Sequence, residues 1–239
     1  MNILVTGGAS GLGRAITKKL VADGINTVFF TYKSSQTSAL EIENNFPNAK
    51  SIKLDFSSTQ SVTDFCNTIP DLKLDVLINN AISGFTQNHF HKTDIDVFNN
   101  SFLLNVSPVL KITQQFIKEA RKRKKGRIIT ILTSGLINKP SIGWSEYVAN
   151  KAYLFSMTKS WAVENANFGI TSNSISPSFM ATNLTSEIDS RLVEGMINSN
   201  PNRSLLKEEE VADAVAFFVY ATSHLNGSNL VINAASDLV

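Results

Sequence analysis

Ile3-Leu4-Val5-Thr6-Gly7-Gly8-Ala9-Ser10-Gly11-Leu12-Gly13 is the stretch that decides the fold. Its apolar triplet reads as a short buried strand and its glycine cluster as a tight turn. The residues from Leu12 to Val21 carry the apolar spacing of a helix. A strand that passes through glycines directly into a helix gathers free backbone N–H groups and the positive end of a helix dipole at one point. Glycine lets the backbone come close to an anion, so the turn suits a pyrophosphate. The spacing Gly7-x-x-x-Gly11-x-Gly13 departs from the G-x-G-x-x-G fingerprint, and taken alone it also fits a purely structural turn.

The pattern repeats outward from that start. Apolar runs at Ile3–Val5, Thr27–Phe30, Ser51–Leu54, Val76–Ile78, Ile128–Ile131, Thr171–Ile175 and Leu230–Ile232 read as buried strands. Between them, helical spacing is found over Leu12–Val21, Thr37–Asn45, Val97–Ala120, Ala149–Asn165 and Glu208–Ala221. Such alternation predicts an α/β fold: a doubly wound, mostly parallel Rossmann sheet with helices on both faces. No repeat or linker interrupts it, so residues 1–239 read as a single domain. The least regular stretch, Phe179 to Pro201, fits a mobile flap over a site.

Composition narrows the function classes. A chain of 239 residues with 43% hydrophobic content can fill a sizeable core, and a net charge of +2 gives no global field toward nucleic acid or an anionic membrane. No apolar segment reads as a membrane span or export signal. The lone Cys66 cannot form an internal disulfide, which fits a reducing cytoplasm, and with three histidines it falls short of a zinc set.

The second strand ends in Thr31-Tyr32-Lys33-Ser34. NAD-binding Rossmann proteins place a carboxylate here to accept hydrogen bonds from the adenosine ribose. This chain has none, and Lys33 can neutralise a 2′-phosphate, with Ser34 and Ser35 as donors. NADP(H) is favoured and NAD(H) stays compatible. A solvated loop lysine is the plainer reading of Lys33.

T-G-x-x-x-G-x-G at the N-terminus resembles the cofactor motif of the short-chain dehydrogenase/reductase family, and the resemblance covers essentially the whole chain. It is carried further by Asp55, by Asn79-Asn80-Ala81, by Asn105 and Ser134, by Tyr147-x-x-x-Lys151, and by Pro177 followed by Thr182. Within the family the chain is most similar to 3-oxoacyl carrier-protein reductases. The resemblance implies a cofactor site of Gly7, Ser10, Gly11, Leu12, Gly13, Tyr32, Lys33, Asp55, Asn80, Ala81, Tyr147, Lys151, Pro177 and Thr182. Asp55 would hold the adenine, and Thr182 would donate to the nicotinamide carboxamide. It also implies a homodimer or homotetramer packed through Val97–Ala120 and Ala149–Asn165.

Tyr147 and Lys151 lie one helical turn apart and share a face. A phenol with a reference pKa of about 10 is a poor proton shuttle near neutrality, and a nearby ammonium and an oxidised nicotinamide both favour its ionised form. Tyr147 is then the general acid in carbonyl reduction and the base in the reverse direction. Ser134 would hold the substrate oxygen; Thr133 beside it offers a second hydroxyl, and the family's usual separation from the tyrosine favours Ser134. By the same resemblance, Lys151 binds the nicotinamide ribose and Asn105 holds a water that relays protons to solvent. Asn105 also fits a role satisfying backbone groups alone.

Three positions depart from the family pattern: Ile82 and Ser178 stand where glycine usually follows, and Ala234-Ala235 where paired glycines are common. They keep open a non-catalytic reading, a dinucleotide-binding sensor or scaffold on the same fold. The run Arg121 to Lys125 reads as a cationic cap at a helix C-terminus in preference to a nucleic-acid patch. His89 and His91 read as loop residues and not as metal ligands. Trp144, Phe85 and Phe179 fit an apolar substrate pocket as well as they fit plain packing. The substrate class expected is a small-molecule carbonyl or alcohol.

Overall fold

The computed structural model describes residues 1–137, 139–180 and 190–236. Among them, strands β1 (Asn2–Val5), β2 (Thr27–Tyr32), β3 (Ala49–Lys53), β4 (Val76–Asn79), β5 (Gly126–Ile131), β6 (Ile170–Pro177) and β7 (Asn229–Ile232) form one sheet in the order β3-β2-β1-β4-β5-β6-β7. Every pairing is parallel, and Val5 lies level with Phe30 on one side and Ile78 on the other. The order reverses between β1 and β4. In a doubly wound sheet that reversal opens a crevice at the C-terminal ends of the strands, which is where ligands bind.

The helices are α1 (Gly11–Val21), α2 (Gln36–Asn45), α3 (Thr59–Leu72), α4 (Ile95–Asn105), α5 (Ser107–Arg123), α6 (Ser145–Asn165), α7 (Ser190–Ser199) and α8 (Glu208–Tyr220). Strand periodicity divides the core into two layers. Ile3, Val5, Val76 and Ile78 face a cluster with Ile16 and Leu20 of α1 and Val215 of α8. Leu4, Leu77 and Ile128 point the other way, onto Phe65 of α3, Ile112 and Phe116 of α5 and Trp161 of α6. Strands apolar on both faces therefore need a helical layer on each side.

Several boundaries differ from the sequence reading. The single helix expected over Val97–Ala120 is two helices joined at Val106, with Pro108 in the first turn of α5. Proline lacks the N–H for an i−4 bond and crowds the carbonyl one turn back, so a helix entering it must bend. The helix expected from Ala149 begins at Ser145, so Glu146 and Tyr147 lie in its first turn. Helix α3, which that reading does not single out, carries Pro70 in its last turn and ends at Lys73 in the left-handed region. Within the expected flap, Ser190–Ser199 is helical; residues 181–189 lie outside the described ones.

The departures from the family's glycines have separate outcomes. Ala234 and Ala235 both take positive φ, 52° and 58°, a conformation that costs an L-residue about 1–2 kcal/mol. Ser178 does not, and its N–H donates to the Ile232 carbonyl at 2.8 Å. The basic run is absorbed locally: Arg121 Nε donates to Asn165 Oδ1, Arg123 to the Leu74 carbonyl, and Lys125 pairs with Asp75.

Candidate active site

A cavity of about 660 Å³ lies along the C-terminal edge of the sheet, lined at one end by Gly7, Ser10, Gly11, Leu12 and Gly13 and at the other by Ser134, Tyr147 and Lys151. The glycine end is set by backbone contact. A Cβ on Gly13 would lie 2.0 Å from the Gly7 carbonyl oxygen, and Gly7 itself takes φ +67°. A side chain at Gly7 would therefore be strained, and one at Gly13 would require the turn itself to move. Thr6 fastens this turn across the sheet: its Oγ accepts from the N–H groups of Asn80 and Ala81, and Asn80 Nδ2 donates to the Thr6 carbonyl. Ser10 caps α1 without a side-chain hydrogen bond. The N–H groups of the first turn thus keep no intrahelical partner and remain available to an anion. Glycine crowding, unpaired donors and the volume of the cavity all fit a bound dinucleotide.

Tyr32, Lys33, Ser34 and Ser35 line the cavity beyond the glycines. Lys33 Nζ lies 3.0 Å from Asp55 Oδ1 and donates to Ser57 Oγ at 3.1 Å. Leu54 and Phe56 line the cavity, whereas Asp55 between them directs its carboxylate to Ser57 and Lys33. Hydrogen bonds from the Ser57 hydroxyl and N–H, joined by Lys33, hold the Asp55 pKa down at about 2. Two residues assigned separately to the adenosine end are thus paired with each other. The lysine side chain is 56% exposed, so the pair is weak and solvent-screened.

At the other end, Thr133 follows the end of β5 and Ser134 opens a 3₁₀ turn over Ser134–Leu136. Both line the cavity. Burial pushes the Tyr147 pKa up to about 12, with the Thr133 hydroxyl beside it acting in the opposite sense. The ammonium of Lys151 does not offset that burial. Its Nζ lies 5.7 Å from the phenol ring centroid and donates to the Ile131 carbonyl at 2.8 Å. Burial lowers the lysine pKa to about 8. In the cofactor-free protein the phenol is therefore a held proton donor.

Asn105 is engaged on both sides. Its Oδ1 accepts from the Ser83 N–H at 2.7 Å, and its Nδ2 donates to the Gly84 carbonyl and to Ser101 Oγ. It lines a second cavity of about 10 Å³ together with Tyr147, Lys151, Glu146 and Asn150, a space on the scale of one water. Asn80, Ala81 and Pro177 line the main cavity. Thr182 lies outside the described residues. Phe85, Trp144 and Phe179 join the cavity wall: Phe85 stands 5.0 Å from the Tyr147 ring and 4.8 Å from that of Trp144, which lies 6.3 Å from Phe179. Sequence reasoning set Thr133 aside and passed over Glu146, Asn150 and Ser101. No motif marks them, since their positions depend on how α4 and α6 meet.

The reversed strand order, the glycine turn at its switch point and a half-buried tyrosine beside a buried lysine in the same cavity define an oxidoreductase of the dinucleotide-binding α/β class. The chain belongs to the short-chain dehydrogenase/reductase family, whose short chain dehydrogenase pattern matches residues 1–192, and it is an NAD(P)(H)-dependent oxidoreductase. It is 30% identical over 240 residues to a 3-oxoacyl-(acyl-carrier-protein) reductase of Vibrio harveyi, covering 99% of this chain and 97% of that one. An acetoacetyl-CoA reductase of Synechocystis is 30% identical, with 98% and 95% covered. A short chain dehydrogenase from Burkholderia cenocepacia, solved in complex with NADP, superposes with a TM-score of 0.84 at 27% identity, covering 99% of this chain and 98% of that one.

Proposed function

We propose that this chain, working as one domain over residues 1–239, reduces a ketone to a secondary alcohol with NADPH. The observation that carries this reading is the meeting of the glycine turn, Ser134, Tyr147 and Lys151 in a single cavity. Gly7, Ser10, Gly11, Leu12 and Gly13 would hold the pyrophosphate, Tyr32 and Lys33 the adenosine end, and Asn80, Ala81 and Pro177 the inner wall. A bound nicotinamide supplies hydride to the carbonyl carbon. Tyr147, protonated at neutral pH, gives its proton to the carbonyl oxygen, and Ser134 fixes that oxygen by a hydrogen bond. Lys151 binds the ribose and returns a proton to the phenol, with the small cavity beside Asn105 as the route. Relatives named for 3-oxoacyl and acetoacetyl thioesters make a ketone β to a thioester the favoured substrate.

Preference for NADPH is supported by the lack of a carboxylate in Thr31-Tyr32-Lys33-Ser34. It should be modest, because Asp55 shares the lysine. A homodimer or homotetramer is supported by exposed apolar side chains on α4 and α6, Leu103 and Tyr153 among them. A cytoplasmic setting is supported by the lone thiol. Among the described residues no helix is long and apolar enough to cross a membrane. No observation favours the non-catalytic reading.

Parallel fluorescence titrations with NADPH and NADH, followed by acetoacetyl-CoA turnover for wild type and Tyr147→Phe, test the proposal. The expected result is tighter NADPH binding and a loss of turnover of about a hundredfold or more with cofactor affinity retained. Turnover unchanged in Tyr147→Phe rules out the phenol as the acid.

A further inference from the structure

Glu146, one residue before Tyr147, is 3% exposed. Its Oε2 accepts from the Thr86 N–H at 3.2 Å, and its Oε1 accepts from the Ser101 hydroxyl and from Asn150 Nδ2. Ser101 Oγ already accepts from Asn105 and Asn150, so its own proton has to go to Glu146. Asn105 meanwhile holds the Ser83 N–H and the Gly84 carbonyl. The backbone from Ser83 to Thr86 has no helix or strand to satisfy it, and these buried side chains do so instead. Between the two anchor points stands Phe85, packed on the Tyr147 ring and on Trp144 at the cavity wall.

We infer that Glu146 is a positioning residue: with Ser101 and Asn150 it clamps the Ser83–Thr86 segment and so sets Phe85 as the wall that aims a ketone at Tyr147. The inference rests on the reading of Tyr147 as the proton donor.

Glu146→Gln is the informative change because it keeps size and shape. The amide offers one acceptor oxygen where the carboxylate offers two, one to the Thr86 N–H and the other to the Ser101 O–H and Asn150 Nδ2. One arm must then open. Steady-state kinetics with acetoacetyl-CoA and NADPH would compare wild type, Glu146→Gln, Phe85→Leu and the double variant. The expected result is a KM for the ketone raised about tenfold by Glu146→Gln, with NADPH affinity held within about twofold. In the Phe85→Leu background the same change should move KM by less than about twofold, because it acts through the ring. An unchanged KM overturns the inference. So does an undiminished tenfold effect without Phe85, or a matching loss of NADPH affinity.

Should Glu146→Gln not fold, Ser101→Ala, which removes one arm, carries the same cycle with the same outcomes. A second readout needs no turnover. In a Trp161→Phe background the emission of Trp144 reports on the Phe85 contact, and Glu146→Gln should shift it to the red. A constant emission sinks the clamp whatever the activity, whereas a shift in a protein that turns over no ketone leaves the clamp standing and sinks the reaction reading.

Discussion

Where α1 begins, the cavity wall is backbone; where α6 begins, it is side chain. At the first end the shape comes from atoms that glycine lacks: a Cβ at Gly13 would lie 2.0 Å from the Gly7 oxygen, and one at Gly8 would lie 2.6 Å from Phe30 Cβ. At the other end the Ser83–Thr86 segment and the 3₁₀ turn at Ser134 take their positions from Asn105, Glu146 and Thr133. The first kind of wall is fixed by local geometry. The second depends on partners far apart in sequence, and it can be retuned by single polar substitutions without disturbing the sheet.

Four tests would break or sharpen that contrast. Gly13→Ala should have the largest effect: the added methyl has backbone on one side, so the turn itself must move. NADPH affinity should fall by about a hundredfold or more, read by fluorescence titration, together with a lower melting temperature. Retained affinity would mean the turn is softer than its contacts imply. Next come the two hydroxyls. Ser134→Ala should cut kcat by about a hundredfold and Thr133→Val by about tenfold, the range for removing one donor to a reacting oxygen. The reverse ranking would move the catalytic hydroxyl to Thr133, the one that touches the phenol here.

The third test concerns pH. Burial lowers the Lys151 pKa from 10.5 to about 8. Over that window the unfolded chain binds a proton that the folded chain does not, so folding stability rises with pH, by on the order of 3 kcal/mol in all. Tyr147 acts in the opposite sense only above its ordinary value of 10, since its folded pKa is raised to about 12. Denaturant unfolding of the cofactor-free protein between about pH 7 and about pH 10 should therefore show stability climbing for wild type and not for Lys151→Met. Identical slopes would show that the ammonium is better solvated than its surroundings suggest. The smallest effect is at the adenosine end. Lys33→Ala should weaken NADPH by about tenfold or less and NADH by about twofold at most, because the lysine is half exposed and already paired. Equal weakening of the two would leave the choice of cofactor to other groups.

The same contrast explains what could be read in advance. Strands such as Ile3-Leu4-Val5 and Val76-Leu77-Ile78 are legible because both faces are buried and no polar residue interrupts them. The glycine turn is legible because its residue type is a steric demand. Asn105 was half legible: its type suits a buried polar role, and its partners, the Ser83 and Gly84 backbone groups, appear only when α4 meets the segment after β4. Lys33 and Asp55 read as separate ligands because 22 positions divide them in the chain; parallel pairing of β2 with β3 makes them neighbours. Val97–Ala120 read as one helix because periodicity survives a bend, and the proline that causes it lies where a new helix can begin.

Sequence alone determined the order of the strands, the glycine turn and the Tyr147–Lys151 pair. Each of these rests on spacing within a few residues and on side-chain chemistry that context barely alters. Tertiary structure decided the pairing of Lys33 with Asp55, the contact of the phenol with Thr133 and the burial that sets the Tyr147 and Lys151 pKa values. It also placed Ser101 and Asn150 on the Glu146 carboxylate, with Asn105 joined to them through Ser101. The physical reason is range: backbone sterics act between neighbours in the chain, whereas desolvation and hydrogen-bond satisfaction depend on whatever the fold brings close.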